Sequence, residues 1–181
     1  MKKTVSLKNQ LFIVLAAGIV AGTLFANFPG RAYIGQVGIF SSSYQEHLTS
    51  GSWDSWNLFL YLCAQRLIPP VALFFLSFTR WRNPALCLCC FWCFFSLGIF
   101  WASCIVLCGI KGILLFMFSL LPHGLLYGWG GLQMGKLFLR RVRGVSYFVQ
   151  PMALLVLGVV SEAWVHPYIL RFLFQIFSIS R

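Results

Sequence analysis

Between Leu11 and Phe28 the chain runs for 18 residues without a charge, and apolar stretches of comparable length recur to its end. A run that long offers a bilayer one full helical crossing. Only 9% of the 181 residues are charged and 60% are hydrophobic, whereas about a quarter of a soluble domain is charged. The chain therefore reads as an all-α, polytopic membrane helix bundle, a single integral membrane domain with no separate soluble part.

Five spans are expected, at about 11–28, 57–79, 84–108, 112–135 and 145–165. The first is basic on its amino side (Lys2, Lys3, Lys8) and has no small-x-small cleavage site near its end. It is read as an uncleaved span and not as a signal peptide. An outer loop follows at 29–56, with Gly30, Gly35, Gly38, three serines and two of the three acids, Glu46 and Asp54. The second span is expected to be interrupted by Arg66 and by Pro69 and Pro70. A "GIKG" break separates the third span from the fourth, and Pro122 breaks the fourth in mid-membrane, since a proline removes a backbone hydrogen bond. The tail 168–181 is about 21 Å long as a helix, too short to cross, and is assigned to the interface.

The net charge of +11 reflects topology. Nine basic residues, Lys2, Lys3, Lys8, Arg80, Arg82, Lys136, Arg140, Arg141 and Arg143, fall on one side of the five-span arrangement. Four, Arg31, Lys111, Arg171 and Arg181, fall on the other. Basic residues favour the cytoplasmic flank, so the amino terminus is placed in the cytoplasm and the carboxyl terminus outside. No continuous basic patch of the kind nucleic acid needs is present in the pattern.

Ionisable groups inside a bilayer usually have partners or face water. Three qualify: Arg66, His123 and Glu162. Arg66 is expected either to meet Glu162 or to snorkel to the headgroups, with a transport or proton-relay role as the alternative. His123, about 18 Å into the fourth span by helical rise, is expected to satisfy backbone freed by Pro122, the alternatives being a ligand, a proton relay or a partner contact. Small residues mark helix-packing faces: Gly18 and Gly22 in the first span, and Gly124 with the glycines that follow it in the fourth.

The seven cysteines lie in apolar spans, where free thiols act as small hydrophobes. "CLCCFWC" contains one C-x-x-C without a second ligand pair, so neither metal nor cofactor is expected. Nucleophile-elbow, zinc-protease and phosphate-loop motifs are missing, and three carboxylates leave little for acid–base chemistry. An enzyme is not expected.

Three segments together resemble the stage II sporulation protein M family of bacterial membrane proteins. "GIVAGTLFANF" is similar to the family's small-residue first helix. "KGILLFMFSLLPHGLLY" resembles its signature, a Lys-Gly segment leading into an apolar-Pro-His motif. "SEAWVHPYIL" resembles its closing Glu-x-aromatic-Val-x-Pro. The positions carried over are Gly18, Gly22, Lys111, Gly112, Pro122, His123, Glu162 and Pro167. Many relatives have a glutamate where this chain has Tyr127. The resemblance implies a non-catalytic scaffold in the cytoplasmic membrane of a spore-forming bacterium. It would recruit the membrane-anchored cell-wall hydrolases, stage II sporulation proteins D and P, for peptidoglycan remodelling during engulfment. Glycine faces also suggest a homodimer. The alternative is a membrane subunit of a small transporter or efflux system, with Arg66 and His123 lining a path.

Overall fold

A computed structural model describes residues 2–36, 38–42, 44–46, 55–140 and 144–177. Asp54, Arg141, Arg143 and Arg181, which figured in the charge pattern, lie outside the described residues. Helices make up nearly all of the rest, with no strand among the described residues. They are α1 (Lys2–Asn27), α2 (Ser55–Leu76), α3 (Arg82–Cys108), α4 (Ile110–Ser119), α5 (His123–Arg140), α6 (Val145–Trp164) and α7 (His166–Phe177), with 3-10 turns at Ile34–Gln36 and Gly38–Phe40.

Four of these helices are long and apolar enough to cross a membrane, and the broken pair α4 and α5 makes a fifth if counted as one span. Their surfaces agree with that solvent: Phe12, Ile13, Leu88, Trp92 and Leu125 are each at least 65% exposed. Apolar exposure on this scale marks an interaction or membrane surface. The fold is an all-α polytopic bundle.

Two sequence expectations about helix breaks change. Pro69 and Pro70 do not interrupt the second span, because α2 runs unbroken through both. Each proline removes one intrahelical donor, but unwinding the helix in lipid would leave many more backbone groups unpaired. The "GIKG" break shrinks to Gly109, whose φ of 59° is the left-handed conformation that glycine adopts without a Cβ penalty. Lys111 and Gly112 already belong to α4.

The described residues group into two compact units. The first comprises α1, the turns after it, α3 from Cys87, α4 and α7 from Leu170. Here α1 and α3 approach through reciprocal glycines. A Cβ on Gly18 would come within 2.9 Å of the Phe91 carbonyl, one on Gly22 would strike the Phe95 carbonyl, and one on Gly98 would meet the Ile19 carbonyl. In the same way a Cβ on Gly112 would strike the Cys104 carbonyl, so α4 packs back on α3. The loop after α1 is partly folded in: Ile34, Ile39 and Phe40 are buried, Ile34 packing with Ala26 and Ala102.

The second unit comprises α2, the first turn of α3, α5, α6 and the start of α7. In it α6 is the shared helix, packed against both α5 and α2. One end is tied by Phe148, whose ring lies 4.5 Å from Phe74 and 6.4 Å from Phe138. Exposed Trp81, Tyr147, Arg80, Lys136 and Arg140 surround that end. The other end carries the chain of rings Trp56, Phe59 and Trp164. Tyr147 and Trp164 are about 25 Å apart by helical rise, comparable to the roughly 30 Å hydrocarbon layer. Aromatic side chains at both ends suit the two membrane interfaces.

Candidate functional site: an intramembrane polar cluster

Arg66, His123 and Glu162, the three ionisable side chains expected within the membrane, all lie in the second unit. Glu162 occupies the last turn of α6, where the helix dipole disfavours an anion, and it is 9% exposed. Two neighbours offset that position. The Arg66 Nη2 of α2 donates to its Oε1 at 3.1 Å, and the Tyr127 hydroxyl of α5 donates to its Oε2 at 2.6 Å. Both carboxylate oxygens are thus engaged, one from each helix that flanks α6.

The packing beneath these contacts explains why they form. Gly158 lies one turn before Glu162, on the same face of α6, and a Cβ there would fall 2.6 Å from the Tyr127 ring. Glycine therefore makes the room in which the tyrosine lies flat enough to reach the carboxylate. Leu62, Val159 and Ala163 form the buried floor, with Leu58, Phe59, Cys63, Leu67 and Tyr127 around it. Arg66 also places its guanidinium 5.6 Å from the centroid of the Tyr127 ring, within the range of a cation–π contact.

His123 stands one turn before Tyr127 on the same face of α5, the rings 5.8 Å apart. Its other face meets His166 at the start of α7, 4.6 Å between centroids at 72°. Both histidines are buried. The Nδ1 of His123 is enclosed without a hydrogen-bond partner among the described residues. Leu120 to Pro122 separate α4 from α5, with a cis Leu121–Pro122 peptide bond. The first amides of α5 turn back on this segment: Gly124 N–H donates to Leu120 O and Leu125 N–H to Pro122 O.

The structure thus brings Arg66, His123 and Glu162 into one cluster and leaves the other motif positions around or apart from it. Pro122 and Gly124 flank His123, and Pro167 occupies the first turn of α7, where a proline's missing N–H is harmless. Gly18, Gly22, Lys111 and Gly112 belong to the first unit. His123 is the first residue of α5 and stands at the 63° bend between α4 and α5, two helices that are long and apolar enough to cross a membrane only when taken together.

Two members of the cluster escaped the sequence reading. Tyr127 stands out in the sequence only against the glutamate of the family that the sequence resembles, and His166 only as a letter of the closing motif. The spacing carries a signal for Tyr127, which follows His123 by four residues on the same helix and so shares its face; His166 follows the break at Val165, where that rule does not apply.

Chemically, the cluster is a set of mutually neutralising groups. An arginine and a glutamate cancel, and a phenol occupies the remaining carboxylate oxygen. Among the described residues no three His, Cys, Asp or Glu side chains converge as a metal site would require. The network ties α2, α5 and α6 together through Glu162. No family model matches the chain, and neither the comparison with curated proteins nor that with solved structures returns a match.

Proposed function

We propose that the chain is a non-catalytic membrane scaffold of the stage II sporulation protein M kind. It would recruit membrane-anchored cell-wall hydrolases, stage II sporulation proteins D and P, for peptidoglycan remodelling during engulfment. The setting would be a bacterial cytoplasmic membrane, with the amino terminus in the cytoplasm and the carboxyl terminus outside.

The observation that carries this reading is how the chain uses its glycines. Gly18, Gly22, Gly98 and Gly112 are filled by the chain's own backbone, so they serve internal packing. A homodimer through Gly18 and Gly22 is therefore not proposed. Gly128, Gly131 and Gly135 of α5 have nothing within 4 Å of a built Cβ among the described residues. At spacings of three and four they share one face, the kind of small-residue surface to which another span packs in lipid. The engaged oxygens of Glu162 favour a scaffold over an enzyme, since an acid–base role needs an available carboxylate.

A second reading, a membrane subunit of a small transporter, rests on the enclosed His123 Nδ1 beside the Arg66–Glu162 pair. Purification from a sporulating host separates the two. A scaffold brings wall hydrolases with it, and its deletion stalls engulfment. A transporter shows flux in vesicles that falls when His123 is replaced. Complete engulfment in the deletion strain would rule out the scaffold.

A further inference from the structure

We propose that the basic end of α5, centred on Lys136 and Arg140, binds the phosphate of an anionic phospholipid whose acyl chains lie along the outward ridge of the same helix. The helix divides by face. His123, Gly130, Met134 and Phe138 are buried, Gly130 against Leu155 and Phe138 toward Phe148 of α6. On the opposite face Leu125, Trp129, Leu132, Lys136 and Arg140 follow one another at spacings of three and four, and all five are exposed. The first three members are apolar, each more than half exposed, and the last two are cations. Gly128, Gly131 and Gly135 lie to one side of this ridge, so a lipid on it leaves the open glycine face free.

Charge complementarity fixes the sign of the ligand. From Ser55 to Ser161 the sequence contains no Asp or Glu. Glu162 is engaged by Arg66 and Tyr127 at the far end of α6, about 21 Å by helical rise from Phe148, the residue that faces the basic end of α5. Among the described residues of the unit, no other carboxylate is present to neutralise Lys136 and Arg140. In the sequence Arg141 and Arg143 follow, so four of the eight residues from Lys136 to Arg143 are basic. Basic clusters of that size beside a span attract anionic headgroups. Exposed Trp81 and Tyr147 at the same end mark the depth at which headgroups lie. A positive flank sets orientation, but here two of its cations, about 6 Å apart along the axis, also continue a lipid-facing ridge and can both donate to one phosphate. A phospholipid matches the apolar length of that ridge as well as its charged end, whereas a soluble anion matches the end alone.

The test places the purified full chain in mixed micelles of a neutral detergent holding equal amounts of phosphatidylglycerol and phosphatidylcholine with identical acyl chains. Bound lipid is counted by native mass spectrometry. The wild type is expected to retain phosphatidylglycerol in excess over phosphatidylcholine. Lys136→Gln combined with Arg140→Gln should lower that excess at least about fivefold, the contribution of one basic side chain near an anionic headgroup. Its unfolding temperature in phosphatidylcholine alone should match the wild type, since both side chains are exposed. Arg31→Gln combined with Lys111→Gln removes the same charge from exposed positions elsewhere and should leave the excess unchanged. Soluble glycerol phosphate, added at constant ionic strength, should leave it unchanged too. An excess that survives the Lys136 and Arg140 substitutions, that falls equally in the control variant, or that glycerol phosphate abolishes would overturn the site.

Discussion

Glu162 is held from two helices at once, which makes it the residue whose loss the second unit should feel most. Glu162→Gln removes the charge that Arg66 faces, and an uncompensated arginine in a membrane helix costs about 2.5–3.5 kcal/mol on insertion scales. Arg66 is half exposed, so part of that cost is relieved by its reach toward the interface. We expect a clear fall in the thermal unfolding temperature in detergent, with part of it restored by adding Arg66→Leu. A Glu162→Gln protein as stable as the wild type would remove the pair from the account. Tyr127→Phe forfeits one hydrogen bond to a charged acceptor, worth about 1.5–3 kcal/mol. Gly158→Ala should destabilise in the same direction as Tyr127→Phe by pushing that ring aside. Combined with Tyr127→Phe, it should cost more than either change alone, since the phenylalanine ring meets the same new methyl; unfolding curves of the two singles and the double check this.

At the scale of elements, α1 and α3 are joined by backbone approach and α6 holds α2 and α5 by side chains and rings. Gly22→Leu, which would drive a side chain into the Phe95 carbonyl, should reduce the yield of folded protein and expose the first unit to protease. Gly131→Leu, placed in open space, should leave both unchanged. Much of this layer was legible in the sequence: apolar run lengths located the spans, because the bilayer fixes how long a crossing must be. What the residues hid was local. Pro69 and Pro70 looked like breaks because propensity is measured in water, where unwinding is cheap; in lipid it is not. Arg66 and Glu162 stood out as ionisable groups in apolar surroundings. Tyr127 and His166 did not, since an amphipathic ring looks ordinary in a chain with 18% aromatic residues. The division into two units left no trace in composition, which is uniformly apolar.

For the whole molecule, the internal polar groups of the second unit neutralise one another, and the open glycine face of α5 is the surface proposed to receive a partner's span. The direct measurement is affinity purification of the full-length chain from sporulating cells, wild type beside Gly131→Leu, with unfolding temperature recorded for both. The account predicts that wall hydrolases accompany the wild type and are depleted several-fold with Gly131→Leu at an unchanged unfolding temperature, the scale expected when packing on a small-residue helix face is lost. Equal recovery of hydrolases with both proteins, or none with either, would contradict it.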